Sequence, residues 1–436
     1  MRMHMPGHKG TKLTGAERSD ITEIAGADEL YESCGVIRRS EENASRLFGT
    51  GRTVYSAEGS SLCIRAMLYL ARIRAAEKEL PFRVLAGRNA HKTLMTAAAL
   101  LELEIDWAWP GTEEGLLSCR ITPEEADRRL QNGPYMAVYI TSPDYLGQTS
   151  DIRGLAEVCR KHGVPLLVDN AHGAYLKFLP EDLHPITLGA EMCCDSAHKT
   201  LPCLTGAAYL HISPEAPAGW RKEAEQAMAM FASTSPSWLI LQSLDKVNSL
   251  LAGKYPEKIA AACRRTGQAK ETLRELGWET VGDEPMKITI RTRKSGYTGT
   301  ELAEELRKAG IECEFSDPDF LVLMPSAETK ERDWERLEDA FRKIPIRVRD
   351  TGGPPELPRP ERVMGIREAM MSPREKLPAA KAEGRILADA GFGCPPAVPA
   401  VIAGERIDRD VLKCLQYYGI RECFCVIQNG FTIHHS

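Results

Sequence analysis

The chain has no apolar run of about eighteen residues, the length a membrane-spanning helix needs. Its first residues, MRMHMPGHKG, hold no apolar core of the kind that marks a secretory leader. A soluble, cytoplasmic protein is therefore expected. No CxxC pair occurs among the thirteen cysteines, which excludes a zinc ribbon and leaves buried free thiols in a reducing compartment as the expectation. Cys193-Cys194 and Cys423-x-Cys425 both lie inside apolar runs. A net charge of −5 leaves no electrostatic footprint for nucleic acid. The histidines are scattered apart from His434-His435, and no metal site is expected. Repeats and low-complexity tracts are absent, so the chain is not a solenoid.

What is present is an α/β pattern on a chain of 436 residues, long enough for two or three domains. Residues 1–39, rich in Gly, Asp and Glu, read as an irregular arm. From 40 to 252, apolar strand runs alternate with helical ones. Strands are expected at Thr53–Ser56, Arg83–Ala86, Ile105–Trp109, Met136–Thr141, Pro165–Asp169, Met192–Cys194 and Ala207–Ile212. Helices fall between them, the first at Ser40–Phe48. That alternation predicts a mainly parallel, doubly wound sheet with connections on both faces. Residues 253–350 read as a small α+β domain and residues 351–361 as a stiff, proline-rich linker. Residues 362–436 form a C-terminal α+β domain.

The stretch from Pro165 to Thr200 organises the rest. Four apolar residues, Pro165 to Val168, end in Asp169, and a second run, Met192–Cys194, leads to Asp195-Ser196-Ala197-His198-Lys199. Ligands of open α/β sheets sit beyond the carboxyl ends of the strands. Asp169 and Lys199 therefore point where chemistry would be. A lysine at a strand tip suits a Schiff-base lysine of a pyridoxal-phosphate enzyme, and an acid on a neighbouring strand would keep the pyridine nitrogen protonated. Each half has an ordinary reading as well, a strand-ending acid and a solvated lysine. Glu58-Gly59-Ser60-Ser61 opens a long helix, which makes an anion site or merely an N-cap serine. His91, in the loop after Arg83–Ala86, is placed either to stack on an aromatic cofactor or simply to begin a helix. Thr141–Gly147 follows another strand end.

These motifs, in order, resemble the Orn/Lys/Arg decarboxylase family in its small bacterial form. The resemblance runs through HMPGHKG (His4–Gly10), DITEIAGADEL (Asp20–Leu30), GRNAHKT (Gly87–Thr93), TSPDYLG (Thr141–Gly147), VDNAHG (Val168–Gly173) and DSAHKTL (Asp195–Leu201). It continues in STSPSW (Ser233–Trp238), EGRI (Glu383–Ile386) and CPPAVP (Cys394–Pro399). It implies an aminotransferase-like (fold-type I) large domain, pyridoxal 5'-phosphate as cofactor, and decarboxylation of arginine, lysine or ornithine to the amine and CO2, the first step toward polyamines. It implies that Lys199 carries the cofactor as a Schiff base and that Asp169 pairs with the pyridine nitrogen. Ala171 would lie on one ring face and His91 on the other. Ser60, Ser61, Ser196 and His198 would hold the phosphate, and His172 would stand near the Schiff base. The STSP segment, Ser233–Pro236, would donate a hydroxyl across a homodimer.

A basic substrate side chain needs a carboxylate partner. Asp144, Glu375 and Glu405 are the candidates weighed for it. The chain departs from the family pattern at Asn170, where Glu is usual, at Gly206, where Gln is usual, and at CPPAVP, where YPPGIP is usual. Another pyridoxal-phosphate reaction, such as transamination or elimination, or a catalytically silent paralogue, stays open as an alternative.

Overall fold

The computed structural model describes residues 2–110, 118–348, 352–391 and 399–427. Its largest sheet contains β1 (Arg52–Ser56), β2 (Arg83–Gly87), β3 (Glu104–Ala108), β4 (Ala137–Thr141), β5 (Leu166–Asp169), β6 (Met192–Asp195) and β7 (Ala208–Ile212). The strand order is β1-β7-β6-β5-β4-β2-β3. Strands β2 to β6 run parallel, and β7 lies antiparallel between β6 and β1. Since β7 opposes both neighbours, β1 points the same way as β6. The carboxyl ends of β1, β2, β4, β5 and β6 therefore share one edge.

The doubly wound layering explains why the strands read as unbroken apolar runs. Leu166 and Val168 enter one core together with Leu85, Val138, Ile140 and Cys193. Leu167, between them, enters the core on the opposite face with Val84, Ala86, Tyr139 and Cys194. Successive side chains of a strand alternate faces, and here both faces are covered. Each fully buried Leu or Val stabilises the fold by roughly 1.5–3 kcal/mol relative to exposure.

Several helix starts are fixed by local chemistry. Asp151 accepts from Gly154 N at 2.9 Å ahead of helix Ile152–His162. The first helix runs Val36–Phe48, four residues earlier than the expected Ser40. The cause lies upstream: the Asp28 carboxylate accepts from Gly35 N and Ile37 N at 2.8 and 3.0 Å, capping the helix from the arm. Before Val36 the described chain has neither helix nor strand.

A second sheet is built from β8 (Glu279–Val281), β9 (Ile288–Arg291), β10 (Phe315–Ser316) and β11 (Phe320–Leu323), in the order β10-β11-β9-β8 and antiparallel throughout. Helices including Tyr255–Glu275 and Glu331–Lys343 accompany it around a core of its own with Trp278, Tyr297 and Phe341. It meets the first sheet through the turn after β4. Asp283 N and Glu284 N donate to Gly147 O at 2.9 and 3.0 Å, and Thr289 Oγ1 donates to Leu146 O at 2.8 Å. The last strands, β12 (Arg374–Pro378) and β13 (Glu422–Val426), form an antiparallel pair. Residues 352–361 of the proline-rich stretch have neither helix nor strand and are packed down in part: Leu357 lies against Ala400 and Cys414, and Pro358 and Pro360 are buried. The described cysteines are all free thiols. Cys394–Val398 and His434-His435 lie outside the described residues.

Candidate active site

A cavity of about 340 Å³ lies on the shared strand-end edge. All nine residues singled out from the sequence line it: Ser60, Ser61, His91, Asp169, Ala171, His172, Ser196, His198 and Lys199. They arrive from four separate strand ends, which a doubly wound sheet brings together.

Asp169, 2% exposed, closes β5. Its Oδ2 accepts from Tyr139 OH at 3.1 Å, and its Oδ1 from Ala171 N at 3.2 Å. Burial beside this carboxylate drives the Tyr139 phenol well above its usual range, so Tyr139 remains a donor. Lys199 opens into the cavity from the turn after β6, its Nζ 3.1 Å from His172 Nε2. His172 itself is buried, and burial, followed by the nearby Lys287 and Lys199 charges, holds its imidazole well below the usual range.

The helix after β1 settles the choice posed by its serines. Its N-cap is Gly59 at φ 74°, without a side-chain cap. Ser60 and Ser61 therefore sit inside the first turn rather than capping it. Ser196 Oγ donates to Ser60 Oγ at 2.8 Å, and Thr93 Oγ1 donates to Ser61 Oγ at 3.1 Å. Hydroxyls thus gather at an uncapped, partly positive helix start, a setting that suits an anion. His91 does begin a helix, its Nδ1 accepting from Thr93 N at 3.2 Å as the cap, and it also lines the cavity. Burial lowers its basicity. His198, likewise lowered by burial, bonds Ala207 O through Nδ1 at 2.9 Å.

Beneath the strand ends lies a buried polar network. Asp195 Oδ2 stands 3.1 Å from His184 Nε2 and 3.3 Å from His211 Nε2, all three side chains wholly shut from solvent. Burial opposes the Asp195 charge, but the two imidazoles outweigh it and hold the carboxyl below its usual range. Asn170 Nδ2 donates to Asp195 Oδ1 at 2.6 Å. The departure at Asn170 thus places a neutral donor, not a second acid, beside a buried carboxylate. The departure at Gly206 has a steric reason: its φ is +97°, and a Cβ there would lie 2.8 Å from Ala57 O.

The three carboxylates weighed for substrate recognition are placed elsewhere. Glu405 is buried in a two-pronged pair with Arg88, at 2.8 and 2.6 Å, and also accepts from Ile402 N at 2.9 Å. Glu375 pairs with Arg385 at 2.6 Å on β12. Asp144 is held by Ser118 and by the Leu146 and Gln148 amides, and burial pushes its carboxyl up to about 6. None of the three lines the cavity. Besides Asp169, the acid that does is Glu58, which accepts from Ser233 N at 2.8 Å and so ties the STSP segment to the rim of its own subunit's cavity. Glu58, Thr141 and Tyr145 sit in strand-end loops and could have been chosen by the same rule as Ser60 and His91. Pro399, from the CPPAVP motif, also lines the cavity, as do Thr205, Ala390 and Gly391, which no pattern in the sequence marks.

Set against known structures, this is the fold of the solved lysine decarboxylases. That of Francisella novicida superposes with a TM-score of 0.79 at 16% identity, covering 98% of this chain and 79% of the other. The constitutive lysine decarboxylase of E. coli gives a TM-score of 0.76 at 17% identity, with 98% and 80% covered. In sequence, the arginine decarboxylase of Bacillus subtilis (strain 168) is 27% identical over 442 residues, 94% of this chain and 89% of the relative. The family model described as Orn/Lys/Arg decarboxylase, major domain, matches residues 14–281. The chain belongs to the Orn/Lys/Arg decarboxylase family, and it is a decarboxylase.

Proposed function

We propose that the chain releases CO2 from a basic amino acid, arginine ahead of lysine and ornithine, using pyridoxal 5'-phosphate in a cytoplasmic homodimer. The observation that carries this reading is one cavity in which Lys199 Nζ meets His172 Nε2 at 3.1 Å while the buried Asp169 carboxylate lines the same wall. The donor set fits the cofactor. Asp169 supplies a water-shielded carboxylate for a ring nitrogen, and the Ser60, Ser61 and Ser196 hydroxyls at an uncapped helix start supply donors for a phosphate. His91 and Ala171 supply a flat and a small surface for the ring. When bound, the cofactor supplies an electron sink for the pair left behind as CO2 departs.

The chain's own residues do the rest. Lys199 would hold the cofactor through Nζ and, displaced by the substrate amine, stand near Cα as a proton donor. Asp169, braced by Tyr139 OH and Ala171 N, would keep a proton on the ring nitrogen. His198 and the serine hydroxyls would anchor the phosphate so that the reacting bond keeps one orientation. The name of the B. subtilis relative supports arginine. The STSP segment, exposed and resting on Glu58 through Ser233 N, supports donation of a hydroxyl to a partner subunit's cavity. A monomer that binds the cofactor fully would defeat the dimer. The described cysteines, most of them buried, form no disulfide, which supports a cytoplasmic setting.

The test is CO2 release by cofactor-loaded protein from arginine, lysine and ornithine separately, with Lys199→Ala as control. Release from one of them, abolished in the control, establishes reaction and substrate together. No release from any, with Lys199 still carrying the cofactor, removes the decarboxylase of basic amino acids.

A further inference from the structure

Lys287 is a buried cation beside the site, 3% exposed, to which the reading above gives no task. It stands just before β9, in the second sheet, yet its ammonium crosses to the first. Nζ lies 3.1 Å from Asp144 O, 3.3 Å from Tyr145 O and 3.3 Å from His172 Nδ1. An ammonium carries three hydrogens and no lone pair, so all three neighbours must accept. The hydrogen of a neutral His172 then sits on Nε2, the atom that faces Lys199 Nζ at 3.1 Å. The Tyr145 ring, edge-on to His172 at 5.5 Å between centroids, braces the imidazole.

We propose that Lys287 is a positioning residue that locks His172 as its Nε2–H tautomer, so that His172 donates a hydrogen bond to Lys199 Nζ whenever that nitrogen is the neutral amine, the form that attacks an aldehyde. The inference rests on the reading of Lys199 as the residue that carries the cofactor. It gives the second sheet a part in the site, by fixing the polarity of the bond at the reacting nitrogen. Burial, with the Lys287 charge beside it, holds His172 well below its usual range, which agrees with a neutral imidazole here. Besides Lys287, the charges that act most strongly on His172 are those of Lys199, His91 and His198, and all of them lower its basicity.

The test is nitrogen-15 NMR of the full chain with selectively labelled histidines, the His172 signals being those lost in His172→Gln. The expected wild-type spectrum shows Nδ1 bare and Nε2 protonated, and Lys287→Met converts it to a mixture of tautomers. Lys287→Met should also slow borohydride-trapped capture of pyridoxal phosphate at Lys199 by about tenfold, the loss of one hydrogen bond. A wild-type Nδ1–H, or an unchanged single tautomer in Lys287→Met, overturns the inference. Should Lys287→Met not fold, the wild-type tautomer decides alone. An Nε2–H tautomer with no capture at Lys199 would sink the cofactor reading, and with it the role at a reacting nitrogen, while a wild-type Nδ1–H with capture intact would sink the tautomer lock alone.

Discussion

Arg88 and Lys199 follow the ends of two parallel strands, β2 and β6, and meet opposite surroundings. Arg88 is wholly buried, with both terminal nitrogens on the Glu405 carboxylate and its guanidinium 4.6 Å from the Trp109 ring centroid. Its pairing spans 317 residues and sews the first sheet to the C-terminal part of the chain. Among the described residues no carboxylate pairs with Lys199. Its hydrogen-bond partner is a neutral imidazole, and its amine opens to a cavity. A charge that holds a fold together is matched and shut away. The nitrogen proposed to react is left without a counter-ion among the described residues, an arrangement that would keep it accessible to an aldehyde and to a substrate.

The largest expected effect comes from removing the unmatched nitrogen. Lys199→Ala should reduce CO2 release to background while leaving the thermal midpoint close to wild type, because no buried charge is stranded: its partner His172 is a neutral imidazole on the cavity wall. A large fall in stability would show that Lys199 is structural and that the contrast with Arg88 is false.

Glu405→Ala should do the reverse, costing about 3–5 kcal/mol in chemical denaturation because it strands a buried guanidinium. The double change Arg88→Met with Glu405→Leu should recover most of that loss, since an apolar pair of similar volume often replaces a buried ion pair without penalty. A Glu405→Ala variant as stable as wild type would mean that water reaches Arg88 and that the pair is not closed.

The same contrast explains what can be read without the structure. Asp169 and Lys199 are legible because a strand end is a geometric position that a short apolar run announces. The nine site residues named from the sequence follow from that rule and from the family motifs, and all of them line the cavity. Glu405 misleads as a substrate partner, for an acid carries no mark of the arginine it will meet far along the chain. Lys287 escapes notice because one lysine before a strand looks like any surface lysine, and its burial is set by a turn more than a hundred residues away. The strand β8 is hidden since Glu279–Val281 is three residues long and none of them is buried. Local pattern fixes where elements lie, whereas partnership between them needs the fold.

An intermediate case is the acid cluster around Asp317. Burial pushes its carboxyl up to about 7, although its Oδ1 accepts from Asp319 N and Phe320 N, both at 2.7 Å. Its Oδ2 has no partner among the described residues. The folded carboxyl keeps a proton that the unfolded chain releases near 3.8. Stability from this group is therefore present below that value and lost as pH rises through about 7. Asp317→Asn should match wild type near pH 4 and exceed it by up to about 4 kcal/mol at pH 8, since the roughly three tenfold steps in proton affinity between the folded and unfolded chain are worth about 1.4 kcal/mol each. Melting curves at the two pH values check it, and a gap that does not grow with pH would count against the burial of that charge.

The smallest effect is expected where geometry is good and burial is lacking. Lys258 Nζ lies 2.7 Å from both oxygens of Glu328, as close as the Arg88 pair, but the two side chains are 49% and 53% exposed. Water already solvates both charges, and holding two long side chains in register costs entropy. Glu328→Gln should therefore cost no more than about 0.5 kcal/mol, and less still as salt is added. Equilibrium denaturation at low and high salt measures this directly. If the loss approached that of Glu405→Ala, distance rather than burial would set the strength of these pairs. The absence of a counter-ion at Lys199 would then say little about its chemistry.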